Sequence, residues 1–411
     1  MKCFTRKACH PFHIDSLMEP SQERLAQART SQLAPGPALF YLCVMTAFYL
    51  SVTLAIYSQG PQPVDLGVYL AAATSFFQSG SGWDASQLTT VAHQRGFLPV
   101  GCSVLGLWTP PLVFPILYPF ALVQFGVAKI LWLLLSIGLV CLSLVLIHGL
   151  YPQLTPKRLT TLAMMFPPIL ALFVWGQVSV LILAGFLLFL HFESRRWDIL
   201  AGASLSLALI KPHAGFLVWV YLLIFVLAER RWKIAVGLVL VLAAVFGVFG
   251  VLQPAWWEYY RASIEQPPLQ YNASTLFGVI HKQLFPAYPT TQFAGVMIAV
   301  PLCLLIYARV RPLVEPRQVF PVLLLLSMAC APYGWVYDQI VIFPFFALFS
   351  TQLHRRFNHN VVWGLITTWA LLYYVLLLPG WGNNDWRPML FPVSLIALLV
   401  LFKAEATPVS T

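Results

Sequence analysis

Apolar runs near the length of a membrane crossing recur from residue 37 to residue 403, and they constrain this chain more than any motif does. They fall at 37–57, 107–124, 130–150, 160–175, 178–192, 198–210, 213–228, 233–252, 291–309, 318–331, 335–350, 361–379 and 388–403. A hydrocarbon core roughly 30 Å thick takes about 20 apolar residues of helix. Inside it the backbone must satisfy its own hydrogen bonds, so the runs are expected to be helices; the alternation of a barrel strand is absent. Composition agrees: 59% of the 411 residues are hydrophobic and 9% are charged, against roughly 25% charged in soluble domains. The expected fold is an all-α polytopic membrane protein with about 11–13 transmembrane helices.

Charge sets the expected orientation. Lys2, Arg6, Lys7, Arg24 and Arg29 precede the first run, which places a basic, disordered tail (1–36) in the cytoplasm. Arg195-Arg196, Arg230-Arg231, Arg309 with Arg317, and Arg355-Arg356 are expected on the same side, together with the 404–411 tail. The other side receives a first outer loop (58–106) and a large outer loop (253–290). One stretch breaks this parity. Counting every run between 58 and 195 as a full span puts Arg195-Arg196 outside, so either 107–124 is re-entrant or 160–192 is not a simple pair of helices. A bacterial plasma membrane is the expected location. The net charge of +10 is spread over short loops and does not point to nucleic acid. Cys3, Cys9, Cys43, Cys102, Cys141, Cys303 and Cys330 form no CxxC pair, so neither a disulfide framework nor a metal site is read from them. No apolar signal-peptide core precedes residue 37.

Polar residues embedded in so apolar a chain are where chemistry is sought. Asp65 opens an alanine- and aromatic-rich segment, 65–78, expected to lie along the interface and to end at Ser79-Gly80-Ser81-Gly82. A carboxylate at that boundary can stay ionised and act as a general base toward a hydroxyl. Asp84, the other acid of the first outer loop, reads equally well as a solvated loop residue. Trp108-Thr109-Pro110-Pro111 opens a proline-broken run containing Pro115 and Pro119, a kinked helix of the kind that lines cavities. Gln177 sits between two apolar runs, as interhelical glue or as a site residue.

Lys211, in Ile210-Lys211-Pro212-His213, lies within a long apolar stretch, where an ionisable side chain is expensive and is a functional candidate by default. An ammonium there can neutralise a phosphate; the plain alternative is snorkelling to headgroups. His213 either assists or caps the helix break. Asn272-Ala273-Ser274 fits an N-glycosylation pattern or a loop-ordering asparagine. Glu258 and Glu265 in the same loop read as solvated. Ala331–Asp338 interrupts two runs, and Asp338 stands at the boundary like Asp65. Two boundary acids, one boundary lysine and several aromatics converge on one face.

In order, these landmarks resemble glycosyltransferase family 87 of the GT-C superfamily. The matching positions are Asp65-Leu66-Gly67-Val68-Tyr69, Thr109-Pro110-Pro111, Gly176-Gln177, Ala201-Gly202 leading to Lys211-Pro212, Asn272 with Ser274 and Gly278, and Pro332 to Tyr337-Asp338. The resemblance covers about 37–400. It implies a GT-C helical bundle with outer-facing loops, a polyprenyl-phosphate-linked sugar donor (mannose in the best-known members), a lipid or glycan acceptor, and inverting transfer. It further implies Asp65 as the general base and Lys211 steadying the leaving phosphate. The candidate substrate-binding residues are Lys211, Tyr69, Asp84, Gln177, His213, Asn272, Tyr337 and Asp338. Such a mechanism needs no metal and no other cofactor. Ser179 stands where the family often has Asn, and His213 where related chains often carry Gln; both departures bear on the sugar and the acceptor. A transporter would thread polar residues through both halves of the membrane, whereas here the inner halves are apolar. A non-catalytic lipid-binding protein of the same fold is the remaining alternative.

Overall fold

The computed structural model describes residues 35–58, 64–99, 101–102, 104, 106–265, 275–309, 315–377 and 387–404. Among them the chain is 82% helical and contains no strand. Helix α1 (Pro35–Ser58) leads to α2 (Val64–Ser79) and α3 (Ala85–Gln94). Next come α4 (Phe114–Ala121), α5 (Phe125–Leu150), α6 (Pro156–Met164), α7 (Pro167–Trp175), α8 (Ser179–Glu193), α9 (Asp198–Ala208), α10 (Phe216–Ala228) and α11 (Trp232–Leu252). The rest of the bundle is α12 (Trp256–Ile264), α13 (Leu276–Leu284), α14 (Ala294–Arg309), α15 (Pro316–Cys330), α16 (Phe343–Arg356), α17 (His359–Leu377) and α18 (Leu390–Ala404).

Five helical segments among the described residues are long and apolar enough to cross a membrane singly, and six with the pair α6–α7 counted as one. That pair bends by 63° where Pro167 and Pro168 restart the helix after Phe166, since proline supplies no N–H to continue the ladder. The apolar run at 107–124 is not a span. It forms three residues of 3-10 helix and the eight of α4, which together rise only about 18 Å.

Side-chain contacts orient the helices. Tyr151 at the end of α5 donates to the Arg317 carbonyl at the start of α15, 2.5 Å away. Arg158 on α6 donates to the Ser350 carbonyl on α16 at 2.6 Å. Arg231 pairs with both Glu193 and Asp198, joining the ends of α8 and α9 to the α10–α11 turn. Between Asp65 and Arg195 the chain therefore runs the length of the bundle three times, through α5, the bent α6–α7 and α8. Arg195-Arg196 falls at the end opposite Asp65, which removes the break in parity.

Two glycines set the closest helix crossing. A Cβ on Gly202 of α9 would lie 1.9 Å from the Ile234 carbonyl oxygen, and one on Gly237 of α11 would lie 2.1 Å from that of Ile199. Small residues of this kind let membrane helices approach backbone to backbone. Along the outer side of α11, Val239, Leu240, Val248 and Val251 are more than half exposed, a face suited to lipid.

The segment between α1 and α5 is a built structure. α2 packs on α3 and α4 through Leu66, Leu70, Ala73 and Phe76. Phe76 meets Phe114 at 5.0 Å and Phe249 at 4.7 Å between ring centroids. Gly67 is required by contact, because a Cβ there would stand 2.5 Å from the Phe97 carbonyl oxygen. The expected interfacial segment 65–78 is thus helical and docked over the helices that follow it.

Candidate active site

Three helix breaks and the helix α2 deliver the polar residues to a single place. α7 ends on Gly176 in the left-handed conformation, φ 67°. The Gly176 N–H returns to the Phe173 carbonyl (3.2 Å) and the Gln177 N–H to that of Leu172 (3.0 Å), a Schellman turn that needs glycine at its pivot. The turn aims Gln177 across the bundle and starts α8 at Ser179. The break between α9 and α10 holds Lys211, followed by Pro212 at the first position of a 3-10 turn. A third break, after α15, carries Tyr333, Trp335, Tyr337 and Asp338. Asp65 comes from the first turn of α2.

These side chains form one hydrogen-bonded hub. Lys211 Nζ donates to Asp338 Oδ1 at 2.8 Å, Gln177 Oε1 at 2.9 Å and Ser179 Oγ at 3.1 Å. Ser179 Oγ donates to Asp338 Oδ1 at 2.5 Å, and the Trp335 N–H donates to Oδ2 at 3.2 Å. Gln177 Nε2 donates to Asp65 Oδ2 at 2.5 Å, and the Tyr69 hydroxyl donates to Gln177 Oε1 at 3.3 Å. Asp338 is fully buried and Lys211 is 5% exposed; charges so enclosed persist only when paired. The ammonium also lies 4.8 Å from the Tyr337 ring centroid. The His213 ring lies against that of Tyr333, tilted by 41° with centroids 4.2 Å apart, and its Nε2 is 3.8 Å from Asp338 Oδ2.

Above the hub opens a cavity of about 360 Å³, within the range of small-molecule sites, roughly 300–1,000 Å³. Asp65, Tyr69, Gln177, Lys211, His213 and Tyr337 line it, with Trp108, Thr109, Trp175, Tyr260, Tyr333 and Trp335. Asp65 is half-buried and supplies the cavity's one carboxylate among the described residues. Burial pushes its carboxyl above the ordinary 3.8, while the Gln177 amide and the Lys211 charge pull the other way.

Of the nine candidate catalytic and substrate-binding residues, six line the cavity and Asp338 lies directly behind them. Asp84 is elsewhere. It caps α3, accepting from the Gln87 N–H at 2.8 Å and the Ser86 hydroxyl at 2.6 Å. Asn272 lies outside the described residues. Sequence reasoning passed over Tyr260 and treated Ser179 only as a departure. The signal for Ser179 was its place two residues after Gln177; that for Tyr260 was the aromatic cluster Trp256-Trp257-Glu258-Tyr259-Tyr260.

A family model described as glycosyltransferase family 87 matches residues 108–336, more than half of the chain. The chain belongs to glycosyltransferase family 87. It is a membrane glycosyltransferase, and its all-helical bundle is consistent with the GT-C superfamily. No curated protein and no solved structure gives a match. The family 87 span contains Thr109, Gln177, Lys211 and His213 but neither Asp65 nor Asp338. Gln177 and Lys211 tie those two acids to it.

Proposed function

We propose that this glycosyltransferase transfers a hexose, with mannose the first sugar to test, from a polyprenyl-phosphate donor to a hydroxyl of a lipid or glycan acceptor. The reaction inverts the anomeric centre. Asp65 takes the acceptor proton as the acceptor oxygen bonds to C1, and the C1–O bond to phosphate breaks with its electron pair leaving on the phosphate. The observation that carries this reading is the single available carboxylate in the cavity wall among the described residues. A double displacement on one sugar face uses a second carboxylate close by, whereas Asp338 is enclosed and neutralised by Lys211.

The walls support both halves of the donor. Trp108, Trp335, Tyr260 and Tyr333 supply aromatic lining suited to a sugar, and Val64, Val68, Leu107 and Ile264 supply apolar lining suited to an isoprenoid chain. The basic clusters gather at the far end of the bundle, which supports a cytoplasmic location for that end and for both termini, with the cavity facing outward across a bacterial plasma membrane.

The test uses purified protein in lipid nanodiscs, radiolabelled polyprenyl-phosphate mannose and a host lipid extract. Wild type is expected to move label into a new product, and Asp65→Asn to lower the rate by roughly 10²- to 10⁴-fold. Equal rates would remove Asp65 as the base. Transfer from a different polyprenyl-phosphate sugar, and none from mannose, would replace the donor.

A further inference from the structure

We infer that Lys211 serves this reaction as a positioning residue, acting on Asp65 through Gln177, and that it is not a ligand of the leaving phosphate. The inference rests on the reading of Asp65 as the base. An ammonium has three N–H donors, and each has a partner within the protein: Asp338, Gln177 and Ser179. A phosphate oxygen reaching Nζ would have to displace one of them in a place only 5% exposed. The charge is spent as well, because Asp338 neutralises Lys211 at 2.8 Å inside the bundle. To an incoming phosphate the pair offers little net attraction.

What the ammonium does determine is the orientation of the Gln177 amide. Gln177 touches a cation through one end of its amide and an anion through the other. Turned over, it would set an NH₂ against the ammonium and a carbonyl oxygen against the carboxylate, leaving two repulsive contacts in place of two hydrogen bonds. Lys211 therefore selects the one orientation that presents an N–H to Asp65. Asp338 holds Lys211 in turn, so a chain of contacts runs Asp338–Lys211–Gln177–Asp65. It joins three helix breaks of the bundle to an acid carried by α2. The charged and titratable groups facing Asp65 are Lys211 and Asp338 behind Gln177, together with the Tyr69 and Tyr337 hydroxyls; His213 lines the same cavity.

A phosphate ligand and a positioning residue fail differently when removed. Wild type, Gln177→Ala, Lys211→Met, Asp65→Asn and the double variant Lys211→Met/Asp338→Asn are compared in nanodiscs for donor KM, kcat and the pH dependence of kcat/KM. For Gln177→Ala and Lys211→Met we expect kcat to fall by roughly ten- to a hundredfold at unchanged donor KM. The acid limb of kcat/KM moves to higher pH in both, because Asp65 has lost the N–H that favours its ionised form. The double variant, which leaves no buried charge alone, is expected to unfold near the wild-type temperature yet to keep the kinetic defect, and it is read in place of Lys211→Met if that variant does not fold. A raised donor KM with a wild-type acid limb in the lysine variants would overturn the inference in favour of a phosphate contact. A wild-type acid limb in Gln177→Ala would overturn it too. Undiminished transfer by Asp65→Asn would instead overturn the reading of Asp65 on which it rests.

Discussion

Asp65 is held where ionisation is unfavourable, and the protein keeps it usable with an amide and a nearby cation. Its carboxyl is raised above the ordinary 3.8 chiefly by burial, and two consequences follow from the sign of that shift. For catalysis, the base form is reached only above the raised value, so the acid limb of kcat/KM should lie at a higher pH than a solvated carboxylate would give; a rate titration of wild type measures it. For stability, below 3.8 the side chain is protonated both folded and unfolded and costs nothing. As pH rises from 3.8 toward the raised folded value the unfolded chain ionises first and stability is lost, the penalty being complete once pH exceeds that folded value. Asp65→Asn should therefore unfold at a higher temperature than wild type at pH 7, with the difference vanishing near pH 4. An unchanged or lower unfolding temperature at pH 7 would show that the carboxylate carries no such penalty.

Among the elements, α3 separates two acids that look alike in the sequence. Both stand between the first two apolar runs, but Asp84 turns its carboxylate onto the start of its own helix. The Ser86 hydroxyl and the Gln87 N–H hold it below the ordinary range, so its stabilisation is present above about pH 4 and is lost as pH falls through the lowered value. Removing such a cap costs about 1 kcal/mol. Asp84→Ala should lower the unfolding temperature modestly and leave kcat and donor KM at wild-type values; a kinetic defect larger than the loss of folded protein would give Asp84 a part in binding. The Gly176 turn shows an element boundary placing chemistry. The glycine was legible as a break between two apolar runs, but the direction in which its turn points Gln177 was not.

Over the whole molecule, the α9–α11 crossing is the contact that admits least change. Gly202→Val would drive a side chain into the Ile234 carbonyl, with 1.9 Å available, and so separate two helices beside the Arg231–Asp198 ion pair, with Lys211 just past the far end of α9. Overpacking of this kind typically costs 1–3 kcal/mol, at times more, and the expected outcome is a marked loss of monodisperse protein. Gly247→Val on the same helix α11, where a Cβ meets nothing within 4 Å, is the matched control and should behave as wild type. Equal yields from both variants would mean the crossing is looser than its geometry indicates.

By itself the sequence determined the solvent of this protein and the positions at which polar chemistry can occur. Apolar lengths require helices in a bilayer because no water is there to satisfy a backbone, and Asp65, Lys211 and Asp338 stand out because a charge is expensive in such surroundings. The tertiary structure alone decided which of them meet. Helices that are apolar all round carry little record of which face turns inward, and Asp65 and Gln177 are 112 residues apart, Lys211 and Asp338 127. Contacts over those separations come from how whole helices pack, whereas the bend of α6–α7 and the stopping short of 107–124 follow from prolines already visible in the sequence. Only that packing sets the amide of Gln177 between the Lys211 ammonium and the Asp65 carboxylate.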